Sequence, residues 1–370
     1  MAGKNFSKLI YILFWLFLFT LLAEITLRLT INSNKYYLWR PNWKVTFKPY
    51  PGIMPGVSSS EAVFKANSDG VRGDELTPKH SFKVLAVGGS TTECLYIDQK
   101  KTWPHILQDN LAAIYKEGIW VGNIGRSGLS TTGNLIELKY LLPQYQKIDL
   151  IIALVGFNDF QSSLMDTFSR NNLKPEKEKI EMVFVITPSK IGNFEVIKIT
   201  QRLLNKFFRD KGIIEDSSGS WYIGARNSRK RAQIINSLPD LSLSLEIFED
   251  NINQIIDLAG QSSARIIFLT QPYMWNDGLS PAEKDLLWFG YTGDKEKYYS
   301  IPALIEGLKA FNLRLKEVCK KRKVGYIDLE KLIAPNTASF YDDLHFNEEG
   351  CRKVAGLITE YLRENKIPEP

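Results

Sequence analysis

Five short apolar runs punctuate the chain after residue 80: Lys83–Val87, Trp120–Ile124, Asp149–Val155, Arg265–Thr270 and Val324–Leu329. They are continuous rather than alternating, as strands covered on both faces read. Between and after them the polar and apolar positions fall into helical periodicity, at Trp103–Lys116, Ser130–Leu142, Leu245–Ala259, Ala303–Lys321 and Glu348–Asn365. Strand-helix alternation of this kind predicts a parallel sheet with helices on both faces, a three-layer α/β domain. In such sheets chemistry sits beyond the carboxyl ends of the strands, so the segments following each run are where function is sought.

The pattern before residue 80 differs. Leu9–Ala23 carries no charge, with Lys4 and Lys8 before it and Glu24 and Arg28 after it. Because this run is apolar on every face, it does not read as a helix of an ordinary soluble core. It lacks a small-residue cleavage pattern, so an uncleaved membrane anchor over 1–31 is expected in preference to a signal segment. Lys4 and Lys8 favour a cytoplasmic N-terminus and an extracytoplasmic domain, since long domains cross largely regardless of their own charges. Residues 32–79 mix Trp39, Trp43 and several prolines with turn-forming stretches and show no sustained period; they read as a linker and lead-in.

Composition narrows the classes. With a formal charge of +6 over 370 residues and a longest basic cluster of only "RNSRKR" (Arg226–Arg231), the chain shows no nucleic-acid footprint. Cys94, Cys319 and Cys351 are odd in number and lack paired spacing, which indicates neither a disulfide framework nor a zinc site. Only His80, His105 and His345 are available as a catalytic histidine.

The strand ends supply the chemistry. The first run stops at Gly88-Gly89-Ser90-Thr91-Thr92, a strand-to-helix switch where Ser90 can be a helix cap or an exposed nucleophile. It is neither a phosphate-binding loop nor a G-x-S-x-G elbow, because Thr92 stands where the last glycine belongs. The second run leads into "NIGRSGLSTTGN", with Gly125 and Gly128; the third ends in Gly156, Asn158 and Asp159, either an Asx turn or a carboxamide donor. After the fifth run come Asp342 and His345, three apart and just before a helix that Asn347 would cap. A carboxylate in that position can orient one ring nitrogen and leave the other outward as a base. Hydroxyl, backbone donor, carboxamide and carboxylate-histidine pair are together the parts of an acyl-transfer site.

These blocks resemble those of the SGNH, or GDSL-type, hydrolases: Gly88-Gly89-Ser90, Asn123 to Gly128, Gly156-Phe157-Asn158-Asp159 and Asp342-Asp343-Leu344-His345. The resemblance spans roughly 66–363 and includes the "ANSDGVRGDE" lead-in seen in membrane-anchored members. Gly89 departs from the family's usual Asp. The resemblance implies a flavodoxin-like sheet of order 2-1-3-4-5 within a domain at 80–370. It further implies Ser90 as nucleophile, His345 as base, Asp342 as its orienter with Asp343 as rival, and an oxyanion hole from Ser90 N–H, Gly128 N–H and the Asn158 carboxamide. No metal or organic cofactor is needed for that chemistry.

A lid or cap insertion at 161–243 is expected to set specificity, through Phe207, Phe208, Trp221 or Tyr222. Tyr273 and Trp275, after the fourth run, are candidates for substrate stacking or for wall packing. The expected activity is hydrolysis of short acyl esters, O-acetyl among them, on a carbohydrate or lipid of the cell envelope. One rival is an O-acyltransferase passing the acyl group to a glycan; the other is a non-catalytic, membrane-tethered polysaccharide-binding protein. Oligomeric state is not legible.

Overall fold

The computed structural model describes residues 2–30, 35–115, 118–165, 218–293 and 296–368. The chain divides into two units, Met1–Tyr36 with Pro175–Glu215, and Tyr37–Lys174 with Asp216–Pro370.

In the first unit, helix α1 (Ala2–Thr30) corrects the expectation of an N-terminal transmembrane anchor and of the location that rested on it. Among the described residues no helix is long and apolar enough to cross a membrane. The uncharged positions 9–23 rise about 22 Å at 1.5 Å per residue. That is short of the roughly 30 Å hydrocarbon layer, and Lys8, Glu24 and Arg28 bound the stretch on either side.

The second unit opens with an antiparallel pair, β1 (Lys44–Phe47) and β2 (Ala62–Lys65). Leu38, Phe47, Phe64, Ala66 and Val71 are all buried. Trp39 stacks on Trp43 at 5.7 Å and meets Phe64 edge-on at 5.1 Å. The segment read as a linker is thus packed structure from residue 37 onwards.

The central sheet contains β3 (Phe82–Gly88), β4 (Ile119–Asn123), β5 (Leu150–Leu154), β7 (Arg265–Leu269) and β9 (Gly325–Ile327), all parallel, in the order β4-β3-β5-β7-β9. A short parallel pair, β6 (Gln233–Ile235) and β8 (Lys297–Tyr299), lies outside it. The register places Gly88, Leu154, Leu269 and Ile327 in one row, so the segments that follow leave from a common edge.

The chain steps from β3 one way through α3 (Trp103–Tyr115) to β4. It then returns through α4 (Thr131–Leu141), α7 (Ser242–Gln261) and α9 (Ile301–Arg322). Right-handed crossovers put α3 on one face and the other three on the opposite face. The packing agrees: α3 lies on the C-terminal helix α11 (Glu348–Glu364), while α7 packs against both α4 and α9.

Most of the 161–243 insertion, including Phe207 and Phe208, lies outside the described residues. Its described end includes α6 (Trp221–Arg231), whose Arg226 and Arg229 brace neighbouring backbone. Arg226 donates to the carbonyls of Ile53, Leu286 and Tyr341, and Arg229 to those of Phe289 and Tyr299.

Candidate active site

The first strand end is a crowded turn. A Cβ on Gly88 would strike Thr92 Oγ1 and the Leu154 carbonyl, and one on Gly89 would strike Asn158 Nδ2. Two glycines therefore let β3 turn at once into α2 (Ser90–Glu93), with Ser90 as its first residue. First-turn N–H groups have no partner inside their own helix, so the Ser90 amide is available at the sheet edge. The far end of α2 is held by Arg72 from the lead-in. Its guanidinium donates to the carbonyls of Glu93, Cys94 (3.1 Å) and Ile97 (2.8 Å) and to Gln99 Oε1 (2.9 Å). Burial lowers the Arg72 pKa to about 10, which leaves it charged at neutral pH.

His345 reaches this turn from the loop before α11, whose N-terminus is capped by the Asn347 side chain accepting from Gly350 N at 2.9 Å. His345 Nε2 lies 2.7 Å from Ser90 Oγ, and Nδ1 lies 2.7 Å from Asp342 Oδ2. Asp342 Oδ1 accepts from the backbone N–H groups of Leu344 (3.0 Å) and His345 (2.8 Å), which makes the three-residue spacing a closed local unit. Burial opposes both charges here, but the pairing prevails. Against it, His345 and the hydrogen bonds hold Asp342 below the usual carboxylate range, and Asp342 in turn holds His345 above the ordinary histidine value.

Asp343, the rival orienter, is occupied elsewhere. Its carboxylate accepts from Trp275 Nε1 (2.7 Å) and from the backbone N–H groups of Trp288 (2.8 Å) and Phe289 (3.2 Å). Burial, and then the neighbouring Asp342 charge, push its pKa up.

Asn158 stands in the first turn of α5 (Phe157–Ser163), after Gly156, whose φ of 109° is the left-handed conformation that favours glycine. One Asn158 amide hydrogen goes to the Leu129 carbonyl at 2.9 Å. Its chain neighbour Asp159 accepts from the N–H and hydroxyl of Thr131, the first residue of α4. Burial raises the Asp159 pKa to about 6. The second and third strand ends are thereby tied together.

A small cleft is lined by Gly89, Ser90, Leu129, Asn158, Gln271 and Leu344 among others. Gly128 is not among its lining residues. It occupies the adjacent exposed turn at φ 76°, with open space where a Cβ would sit.

Tyr273 and Trp275, candidates for substrate stacking or for wall packing, do not line the cleft either. Both are buried. The Tyr273 hydroxyl donates to Glu330 at 3.0 Å, and Trp275 stacks on Phe289 at 5.8 Å while its indole N–H goes to Asp343.

Three residues at the site were not singled out from the sequence. Trp288 donates its indole N–H to Asp342 Oδ2 at 2.9 Å. Gln271 accepts from the Thr91 hydroxyl at 3.2 Å, and Arg72 anchors α2. Trp288 left one sign, the apolar "LLWFGY" stretch outside the strand-helix rhythm. Among the described residues no cluster of three or more His, Cys, Asp or Glu is disposed to hold a metal ion.

The sequence profile of the GDSL-like lipase/acylhydrolase family matches residues 86–353. The chain belongs to this family. Membership in the GDSL-like family makes it an ester-hydrolysing enzyme with an α/β fold around a parallel sheet. No curated protein matches the chain.

Solved structures similar to it include a lipolytic G-D-S-L family member from Veillonella parvula DSM 2008. That structure is 12% identical, with 76% of this chain and 99% of that one covered and a TM-score of 0.42. An acetylxylan esterase from Geobacillus stearothermophilus is 14% identical, covering 78% and 96%, with a TM-score of 0.39. A carbohydrate acetylesterase from Sinorhizobium meliloti is 14% identical, covering 77% and 100%, with a TM-score of 0.42.

Proposed function

We propose that this GDSL-like enzyme hydrolyses short acyl esters, O-acetyl groups on carbohydrate foremost, with Ser90 as nucleophile, His345 as general base and Asp342 as its orienter. The observation that carries the reading is the unbroken relay from Ser90 Oγ to His345 Nε2 and from His345 Nδ1 to Asp342 Oδ2, at 2.7 Å each.

Ser90 Oγ attacks the ester carbonyl as His345 takes its proton. The imidazolium is stabilised by Asp342, and the proton passes to the departing alkoxide. Water, deprotonated by the same imidazole, then releases the acid from the acyl-serine. The developing oxyanion is held by the Ser90 N–H, the Gly128 N–H and the free amide hydrogen of Asn158.

The small cleft beside Ser90, lined by Leu129, Leu154, Phe157 and Leu344, supports a short acyl group. An alcohol moiety with a sugar face is supported by Trp221. Trp221 is 42% exposed, and its ring packs edge-on at 5.0 Å to Trp288, which itself lies alongside His345.

The test is hydrolysis of p-nitrophenyl esters from acetate to octanoate and of acetylated xylo-oligosaccharide. Acetate is expected to be preferred, with Ser90→Ala losing on the order of 10⁶ in kcat, as serine-hydrolase nucleophiles do. Wild-type turnover equal to that of Ser90→Ala on every ester would overturn the assignment. Preference for octanoate would overturn the short-acyl part alone.

A further inference from the structure

We infer that Trp288 is a positioning residue for the Asp342–His345 pair: its indole N–H governs how strongly Asp342 draws on the imidazole, and its ring fixes the imidazole plane. This rests on the triad reading above and extends it to a residue 54 positions away from Asp342.

The geometry is specific. Asp342 Oδ2 accepts from two donors, His345 Nδ1 at 2.7 Å and Trp288 Nε1 at 2.9 Å, while Oδ1 takes two backbone N–H groups. The Trp288 ring lies within 9° of parallel to the imidazole at a centroid distance of 6.4 Å, and Tyr341 is within 10° at 5.5 Å. The Trp288 backbone N–H is in turn held by Asp343 Oδ2 at 2.8 Å. The neighbouring aspartates therefore grip the same tryptophan, one by its backbone and one by its side chain.

A donor on a carboxylate oxygen withdraws negative charge from the partner that shares that oxygen. Without the indole N–H, Asp342 would favour the imidazolium more strongly, and His345 would need a higher pH to become the neutral base. The other groups acting on His345 are Asp343 and Glu93, both of which raise its pKa. Arg229 faces Asp343, and the Tyr222 and Tyr341 phenols, pushed well above 10, stay neutral. Replacing the indole changes none of these.

The experiment measures kcat and KM for p-nitrophenyl acetate against pH in the full chain, for wild type, Trp288→Phe, Asp342→Asn and the double variant. Trp288→Phe keeps a ring and removes the donor; Trp288→Leu, which also lacks a donor, replaces it if Phe does not fold. The expected single-variant result is a loss of about tenfold in kcat, the scale on which outer hydrogen-bond partners of functional histidines act. KM should be little changed, and the acidic limb should move to higher pH.

In the Asp342→Asn background the same substitution should change kcat by less than about twofold, with no movement of the limb, since its route of action is gone. Equal kcat losses in both backgrounds with a stationary limb would overturn the inference and leave Trp288 as packing. Asp342→Asn retaining wild-type kcat and limb would instead overturn the triad reading itself.

Discussion

Gly89 and Asn158 compete for one volume. A Cβ at position 89 would collide with Asn158 Nδ2, the amide whose second hydrogen is already committed to the Leu129 carbonyl. Gly89→Ala must therefore displace the carboxamide rather than the backbone. Its kcat should fall towards the roughly 10²–10³-fold loss typical of a missing oxyanion donor, with little further loss when Asn158→Ala is added. Steady-state kinetics of the two single variants and the double variant check this. Additive losses would show that the glycine acts elsewhere. At this scale the contrast between adjacent residues is instructive. Asp342 and Asp343 are identical in type, yet one faces His345 and the other holds Trp275, Trp288 and Phe289. The three-residue spacing to His345 was readable because that contact is local, whereas Trp288 was not, because it arrives from a distant loop.

At the scale of elements, the basic run at Arg226–Arg231 changes meaning once α6 is placed. Arg226 and Arg229 are turned inwards and donate to main-chain carbonyls, including that of Tyr341, the residue before Asp342. Arg231 on the same helix is exposed. Arg226→Met keeps the apolar stem but leaves the acceptors of Ile53, Leu286 and Tyr341 without their donor. With buried unmet acceptors costing about 1–3 kcal/mol each, a destabilisation of about 3 kcal/mol is expected. Arg231→Met should stay within about 0.5 kcal/mol. Denaturant unfolding of the two variants tests this, and similar midpoints would refute the inward role. Arg72 follows the same logic for α2. In each case a charge count could not tell a solvated arginine from one clamping carbonyls.

For the molecule as a whole, burial of charge makes stability depend on pH. Glu137 on α4 is almost fully buried, with Arg126 Nε 3.1 Å from its Oε1. Burial raises its pKa from 4.5 to about 8, Arg126 opposing and Glu93 adding to the rise. A folded value above the unfolded one means the native state prefers the protonated form. Stability is therefore lost as pH climbs from about 4.5 to about 8. Glu137→Gln removes that titration, so its stability relative to wild type should become more favourable between pH 5 and pH 8. Thermal melts at the two pH values measure the difference, and a constant offset would refute it.

What the sequence determined by itself was whatever depends on near neighbours. Uninterrupted apolar runs imply strands covered on both faces, their alternation with amphipathic helices implies a parallel sheet, and Asp342 and His345 meet within one loop. The length of the uncharged stretch in α1 belongs here too. Its fifteen positions rise too little to span a bilayer, although their apolar character on every face reads as an anchor. Only the tertiary structure decided which polar groups are spent inside. Tyr273 and Trp275 went to the wall, Arg72 and Arg226 to backbone clamps, the 37–79 segment to packed structure and Trp288 to Asp342. Burial and hydrogen-bond partnership are set by residues far away in the chain, and no local pattern encodes them.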